Sequence, residues 1–388
     1  MDFDIKGTVL ITCSPGLVER LGREVEGLGF AATGAHKAGV ETSATLRECE
    51  RLNLNLRTAF GALFLLGQFD CEDPEELYRK VYAIEWEDII SSREYVSVVS
   101  RVDTPTIKNT MFASAKVKDA VVDRIADKVG SRPDSGPERD NVVLNLYWKK
   151  GRCWVYLNTS GRKLADRGYR KMPYKAPMQE TLAAGVIMET GYDGGGAFVA
   201  PMCGSGTLAI EAALIALGKA PGLLRSNYGF MHVIGFDNDQ WQDLRRETLK
   251  RAKKAAGARI VATDIEAEAI KAARQNAKTA GVEHLIEFGA CDFAETEVPA
   301  GGGVVILNPE YGKRMGEVRQ LEETYKRIGD FFKQRCAGYK GYIFTGNMEL
   351  AKKVGLRTSR RVQFFNGEIE CRLLEYQIYE GTKRSGKE

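Results

Sequence analysis

The 388 residues carry 56 Lys and Arg against 52 Asp and Glu, with 44% hydrophobic and 28% charged residues, an ordinary globular composition too long for one core. No apolar run reaches membrane-spanning length, and MDFDIKGTVLITCS lacks a charged n-region before a long h-region, so a cytoplasmic protein without a membrane partner is expected. Eight scattered cysteines without a CxxC pair and three histidines outside any ligand spacing argue against a disulfide frame and against a metal site.

In chain order, GTVLIT (7–12) reads as a strand and SPGLVERLGREVEGLGF as a helix. In that helix Ser14 is the expected N-cap, Pro15 the first helical residue, and Leu17, Leu21, Val25 and Leu28 the buried stripe. A hairpin-like stretch precedes the helix candidates TLRECERLNLNL and DPEELYRKVYAI. Then follow a strand, EYVSVVSRV, a long helix, FASAKVKDAVVDRIADKVG, and two strands, NVVLNLYWK and RCWVYLNTS. This order suggests α+β modules. RPDSGPERD (132–140) reads as a loop, and RGYRKMPYKAP (167–177) as a domain boundary. Across 147–175, Lys149, Lys150, Arg152, Arg162, Lys163, Arg167, Arg170, Lys171 and Lys175 stand against only Asp166. Tyr147, Trp148, Trp154, Tyr156, Tyr169 and Tyr174 are interleaved. Cations for phosphates and rings for unpaired bases describe an RNA surface, while a solvated strand edge with core-facing rings fits the same residues.

From residue 178 strands and helices alternate, which predicts a doubly wound sheet with ligands at the carboxyl ends of its strands. AFVA, ARIVAT, LIEFGA, VVIL and YIFTG are the strands, and Asn366-Gly367 turns an antiparallel hairpin at the sheet edge. PMCGSGT follows the first strand. It matches neither GxGxxG nor a Walker loop, but Gly204 and Gly206 allow a tight turn close to a ligand. The second strand ends at Asp264, a carboxylate for ribose hydroxyls or a helix cap. The third ends at Asp292, with Phe293 offering a ring to adenine, and the fourth ends at Asn308.

A Gly turn, two acids and an amide in this order resemble the class I S-adenosylmethionine-dependent methyltransferases. LRTAFGALFLLGQF, ELYRKVYAIEWEDI, LNTSGRKLADRGYR, APMQETLAAGVI, APGLLRSNYGF, TDIEAEAIKAARQNAKTAGV and NPEYGKRMGE narrow the resemblance. They are similar to the bacterial large-subunit ribosomal RNA guanine-N2 methyltransferases that carry a THUMP domain. The resemblance implies a ferredoxin-like module (1–60), a THUMP RNA-binding domain (61–165), a linker (166–177) and a Rossmann-like catalytic domain (178–388). It places Glu180, Thr181, Cys203, Gly204, Ser205 and Gly206 around the methionine end of S-adenosyl-L-methionine, Asp264 on the ribose and Asp292 on the adenine. Asn308, Pro309 and Tyr311 hold the target base, with Asn308 also counted on the cofactor side. Lys149, Lys150, Arg162, Lys163, Arg167, Arg170 and Lys171 are the expected RNA contacts.

Three positions depart from the family pattern. Ala200 replaces an aspartate before the glycine turn, Asn158 replaces an aspartate at a position expected to be structural, and Glu310 replaces the second proline of Asn-Pro-Pro-Tyr. Glu310 is free to point to solvent, pair with Lys313 or Arg314, take part in proton transfer, or impair the site. The expected activity is methylation of a guanine N2 in 23S ribosomal RNA. A tRNA guanine-N2 methyltransferase and a non-catalytic RNA-binding assembly factor are the alternatives, and the oligomeric state is not encoded legibly.

Overall fold

A computed structural model describes residues 2–378 apart from 106, 108, 176, 254–256, 258 and 312–314, and the backbone alone of 315–320. The chain forms two compact units: Met1–Cys13 with Val18–Ala165 and Pro221–Leu249, and Ser14–Leu17 with Asp166–Ala220 and Lys250–Glu388.

The first unit is built on one eight-stranded sheet. Its elements are β1 (Gly7–Cys13), α1 (Val18–Gly27), β2 (Gly34–His36), β3 (Gly39–Ala44), α2 (Leu46–Asn55) and β4 (Ala59–Asp70). They continue with α3 (Pro74–Tyr82), β5 (Tyr95–Asp103), α4 (Thr110–Val129), β6 (Asp134–Ser135), β7 (Val142–Lys149) and β8 (Arg152–Asn158). The strand order is β2-β3-β1-β4-β8-β7-β5-β6. The first six elements make a β-α-β-β-α-β ferredoxin-like module. Long strand β4 pairs with β1 on one side and β8 on the other, so this module and the following one share a sheet. Local chemistry starts the helices: Thr45 and Glu48 form a reciprocal capping box on α2, and Asp73 accepts the N–H groups of Glu75 and Glu76 at the head of α3. Such caps are worth about 1 kcal/mol each. Ser14 does not cap α1, which starts four residues later. Gly16 turns at φ +86°, and the Ser14 hydroxyl donates to the Phe365 carbonyl at 3.4 Å, inside the second unit. RPDSGPERD, expected as a loop, contributes the two-residue strand β6.

The second unit contains α5 (Glu180–Glu189), β9 (Ala197–Pro201) and α6 (Thr207–Ala216). Helix α7 (Asn238–Lys250) lies almost wholly in the first unit, and the second resumes with β10 (Ile260–Asp264), α8 (Ala267–Ala280), β11 (Ile286–Ala290) and β12 (Gly303–Leu307). Then come α9 (Met315–Arg335), β13 (Tyr339–Thr345), α10 (Met348–Lys352), β14 (Arg360–Asn366) and β15 (Ile369–Gln377). The sheet runs β11-β10-β9-β12-β13-β15-β14; β9 to β13 are parallel and β15 is antiparallel to both neighbours. Buried on both faces, β9 and β12 read as unbroken apolar runs, which is what a covered parallel sheet requires. From β9 the chain winds outward to β11, then returns beside β9 as β12. That reversal opens a crevice beyond the carboxyl ends of β9 and β12.

Pro221–Leu249, expected in the catalytic domain, belongs to the first unit. Tyr228, Phe230 and Trp241 are buried there with ring centroids 5.0–5.5 Å apart. The Arg225 guanidinium donates to the carbonyls of Ser160, Arg162 and Lys163 at 3.0–3.1 Å. An arginine that satisfies several buried carbonyls at once fixes the segment where apolar contact alone would let it slide. Segment 166–177 is not a linker either. Arg167 and Tyr169 are 1% exposed, and both donate to the fully buried Glu211 of α6, at 3.5 and 3.2 Å. No helix among the described residues is long and apolar enough to cross a membrane.

Candidate active site

The loop after β9 carries the glycine turn. Met202, Gly204 and Gly206 all have positive φ, and Gly206 (φ +84°) heads α6 where a Cβ would stand 2.9 Å from the Ala273 methyl of α8. Only glycine meets both demands. The Asp264 carboxylate fastens this loop to the next strand end. Oδ2 accepts the Gly204 N–H at 2.9 Å and Oδ1 the Glu266 N–H at 3.1 Å. Asp264 therefore sits across the strand ends rather than capping α8, whose N-cap is Glu266. A Cβ at Gly204 would meet nothing within 4 Å, so its outer side is open to a ligand.

Behind the loop, Arg170 joins four groups: the Glu180 carboxylate, the Ser205 and Thr207 hydroxyls and the Met178 carbonyl, at 2.9–3.1 Å. Asn276 of α8, fully buried, accepts from the Lys171 and Met172 N–H groups and donates to the Met172 and Ser205 carbonyls. Burial pushes the Glu180 carboxyl up, and Arg170 opposes that shift. Glu180 is thus a positioning group for the loop. Thr181 beside it is fully buried, and its hydroxyl has no hydrogen-bond partner among the described residues. Burial, then the nearby Asp264, raises the Cys203 thiol, which is no nucleophile here.

At the third strand end, Asp292 accepts from Arg327 of α9 at 2.7 Å and from the Ala294 N–H at 2.9 Å. Burial alone would raise its carboxyl; these two donors outweigh it and hold the group below the usual range. Phe293 does not offer a face as expected. It is 6% exposed, with Phe331 edge-on at 6.1 Å and the Arg327 guanidinium 4.9 Å over the ring. The open apolar group is instead Ile265, 69% exposed directly after Asp264. The Cys291 N–H bonds the Asp264 carbonyl, so Ile265 and Asp292 leave adjacent strand ends. An isoleucine just past a strand's last acid, where the chain has left the core, is the sequence signal for it.

The fourth strand end is the Asn-Pro corner. Asn308 is half-buried and Pro309 buried, and the Asn308 amide has no partner among the described residues. The next two carbonyls are held: that of Glu310 by the Tyr325 hydroxyl at 3.4 Å, and that of Tyr311 by the Asn347 amide at 3.3 Å. Tyr325 is itself fixed by the Thr345 hydroxyl at 2.8 Å. Asn366 donates to the Tyr311 Oη at 3.1 Å, and the ring lies against Gly346, where a Cβ would approach it to 3.2 Å. A side chain at 346 would press on this ring and on Ile369, at 3.1 Å. The Glu310 carboxylate is exposed; Lys313 and Arg314, its expected partners, lie outside the described residues.

Residues 167–375, just over half of the chain, match the family of RMKL-like methyltransferase domains. The chain belongs to that family. Two further matches precede it, to the RlmL ferredoxin-like domain over 8–60 and the THUMP domain over 71–158. Among curated relatives, the ribosomal RNA large subunit methyltransferase K/L of Syntrophotalea carbinolica is 36% identical over 98% of this chain and 54% of its own length. That of Pseudomonas paraeruginosa is 35% identical over 95% and 52%. The chain therefore spans about half the length of the curated relatives it matches. In solved structures, SMU.472 in complex with SAH shares the fold (TM-score 0.88, 24% identity, 98% of this chain and 100% of that one). A predicted N6-adenine-specific DNA methylase of Listeria monocytogenes strain 4b F2365 gives a TM-score of 0.86 at 28% identity, over 96% and 97%.

Within this member of the RMKL-like family the expected RNA contacts divide. Lys149 and Lys150 are exposed at the β7–β8 turn, and Lys163 and Lys171 are exposed as well. Arg162 is exposed but bonds Asp140. Arg167 and Arg170 are not RNA contacts, because their guanidinium groups are used inside the second unit as described above. Of the rings, Trp148, Tyr156 and Tyr169 are buried, while Tyr147 and Trp154 remain partly exposed. Asn158 is structural: its side chain accepts the Ser160 N–H at 3.1 Å and donates to the Gly161 carbonyl at 3.2 Å. Ala200 is fully buried in β9; nothing in the structure explains its replacement of a carboxylate.

Proposed function

We propose that the chain transfers a methyl group from S-adenosylmethionine to the exocyclic N2 of a guanine in 23S ribosomal RNA. The observation that carries this reading is the Asn308 amide, without a hydrogen-bond partner among the described residues, beside the crevice between β9 and β12. The residues present fit the cofactor. The orphan Thr181 hydroxyl suits a charged methionine end, the open side of Gly204 leaves room for close backbone approach, and Asp264 suits ribose hydroxyls. Ile265 and Asp292 would take the adenine face and amine. The cofactor supplies an electrophilic methyl on a sulfonium.

The protein's part is orientation. A guanine amine is a poor nucleophile because its lone pair is delocalised into the ring, so the base must be held with that lone pair aimed in line. Asn308 Oδ1 and the Pro309 carbonyl are acceptors for the two amine hydrogens, and Tyr311 supports the extruded ring. One of those protons leaves to solvent after transfer. The exposed lysines of the first unit and its THUMP match support an RNA substrate. The cytoplasm, where thiols stay reduced, is the proposed compartment.

The test is transfer of label from tritiated S-adenosylmethionine to unmodified 23S ribosomal RNA and to tRNA, followed by digestion to nucleosides. N2-methylguanosine from 23S RNA is expected. Label confined to tRNA would move the substrate, and label in adenine would overturn the base assignment. Ala200 and Glu310 favour a second reading, a non-catalytic RNA-binding assembly factor. Calorimetry with S-adenosylmethionine decides it, since absence of binding would leave only that reading.

A further inference from the structure

Away from the crevice, the edge of the second sheet carries a groove of about 950 Å³. Helix α10 and the loop through residue 359 form one wall. The floor is the β14–β15 hairpin, whose register sets Arg361 opposite Leu374 and Gln363 opposite Arg372, so that Arg361, Arg372, Leu374 and Tyr376 share a face. Five cationic side chains line it, Lys352, Arg357, Arg360, Arg361 and Arg372, and no carboxylate does. Three have acidic partners outside the lining: Lys352 pairs with Glu349, Arg360 with Glu189 and Glu375, and Arg372 with Glu370. Arg357 has no partner among the described residues, and Arg361 bonds only the Thr358 hydroxyl, at 3.0 Å.

Two further features bear on what the groove holds. Its floor is closed by Leu374 and Tyr376, both buried in the core of the second unit, with Leu356 half-buried beside the cations. Tyr376 is 1% exposed, yet its hydroxyl finds no hydrogen-bond partner among the described residues. In sequence the groove adjoins the acceptor corner: Asn347, whose amide holds the Tyr311 carbonyl, immediately precedes the Met348 that lines it. Two guanidinium groups with no acidic partner among the described residues, in a groove that no carboxylate lines, suit the phosphates of an RNA strand.

We propose that this groove binds single-stranded RNA flanking the target nucleotide, with Arg357 and Arg361 on its phosphates. The direction of the strand, towards Asn308, rests on the methyltransferase reading; the binding itself does not. The test uses the full chain, a fluorescein-labelled single-stranded RNA of mixed sequence, and anisotropy titrations across salt concentration. Each phosphate contact contributes about −0.7 to the slope of log affinity against log salt. Arg357→Glu with Arg361→Glu should weaken binding at least tenfold at ~0.1 M salt and reduce the slope by about 1.4. Arg357→Lys with Arg361→Lys should keep the wild-type slope. Unchanged calorimetric affinity for S-adenosylhomocysteine shows that the catalytic unit of each variant is folded.

A 4-thiouridine-bearing strand should crosslink to residues 356–361. Binding within twofold of wild type with the same slope in the charge-reversed variant, or crosslinks confined to the first unit, would overturn the proposal. The two readings fail separately. A wild-type chain that binds RNA through Arg357 and Arg361 but transfers no label loses only the activity. A chain that methylates 23S RNA with an unchanged KM in the charge-reversed variant loses only the groove.

Discussion

Asn308 places a side-chain amide at the fourth strand end, and its lack of a partner among the described residues sets the sharpest expectation. Asn308→Ala should lower kcat by about 10²–10³-fold, the usual cost of one preorganised polar contact to the reacting group, with cofactor affinity within twofold by calorimetry. Undiminished transfer would remove this corner from the chemistry. Glu310 is the other instructive residue. A second proline would restrict the Pro309 backbone; here the Tyr325 hydroxyl on the Glu310 carbonyl and the Asn347 amide on the next one brace the turn from outside. The exposed carboxylate then has no assigned task, and Glu310→Pro should leave kcat unchanged or raise it by up to about fivefold, equivalent to ~1 kcal/mol of preorganisation. A fall in kcat would show that the carboxylate takes part in the reaction. Residue types at strand ends are legible in sequence because Asp, Asn and Gly interrupt apolar runs there. The fates of Arg167 and Arg170 are not, since an arginine inside a basic run looks the same whether it meets phosphate or a buried glutamate.

At the scale of elements, the RGYRK segment behaves as a clasp. Arg170 ties the start of α5 to the glycine turn, and Asn276 ties the same segment to α8. Arg170→Ala leaves the Glu180 carboxyl buried without its cation and two hydroxyls without a donor. Breaking one side of such a buried pair costs about 3–5 kcal/mol, somewhat less here because Arg170 is partly exposed. Cofactor affinity should fall at least tenfold, and the thermal transition of the second unit should move down by several degrees. Transfer kinetics alone would not separate this from a reacting group; the combined loss of affinity and stability does. Most helices and strands follow from their hydrophobic periods. The start of α1 does not, because Ser-Pro-Gly satisfies the cap pattern while Gly16, at φ +86°, turns the chain away before the helix begins. Phe293 is misjudged from sequence for a related reason: an aromatic after a strand-end acid suits a ligand and a core equally, and only packing against Phe331 and Arg327 decides.

At the scale of the whole molecule, a buried carboxyl of the first unit couples its stability to pH. Glu50 of α2 is 1% exposed, and one of its oxygens has no partner among the described residues. Burial raises its carboxyl from 4.5 to about 7, with Arg47 opposing and Asp237 and Asp4 reinforcing the shift. The folded state keeps a proton that the unfolded chain releases. Its contribution is therefore fully present below pH 4.5 and lost as pH climbs through 7. Glu50→Gln should match wild type at pH 5 and exceed it at pH 8 by on the order of 2–3 kcal/mol in urea unfolding of the first unit. Equal stabilities at pH 8 would contradict the burial argument. The alternation that predicts a doubly wound sheet survives intact, but the membership of Pro221–Leu249 does not, because no local pattern tells which core a stretch of aromatics will join. That membership also bears on synthesis. The first unit needs residues 221–249, so it cannot close when its last strand, β8, leaves the ribosome. Roughly 90 further residues must be added, about 4–18 s at ~5–20 residues per second. Through that interval the surface that receives Tyr228, Phe230 and Trp241 stands uncovered on the nascent chain, and slow translation between 165 and 249 would lengthen its exposure to chaperones and to neighbouring chains.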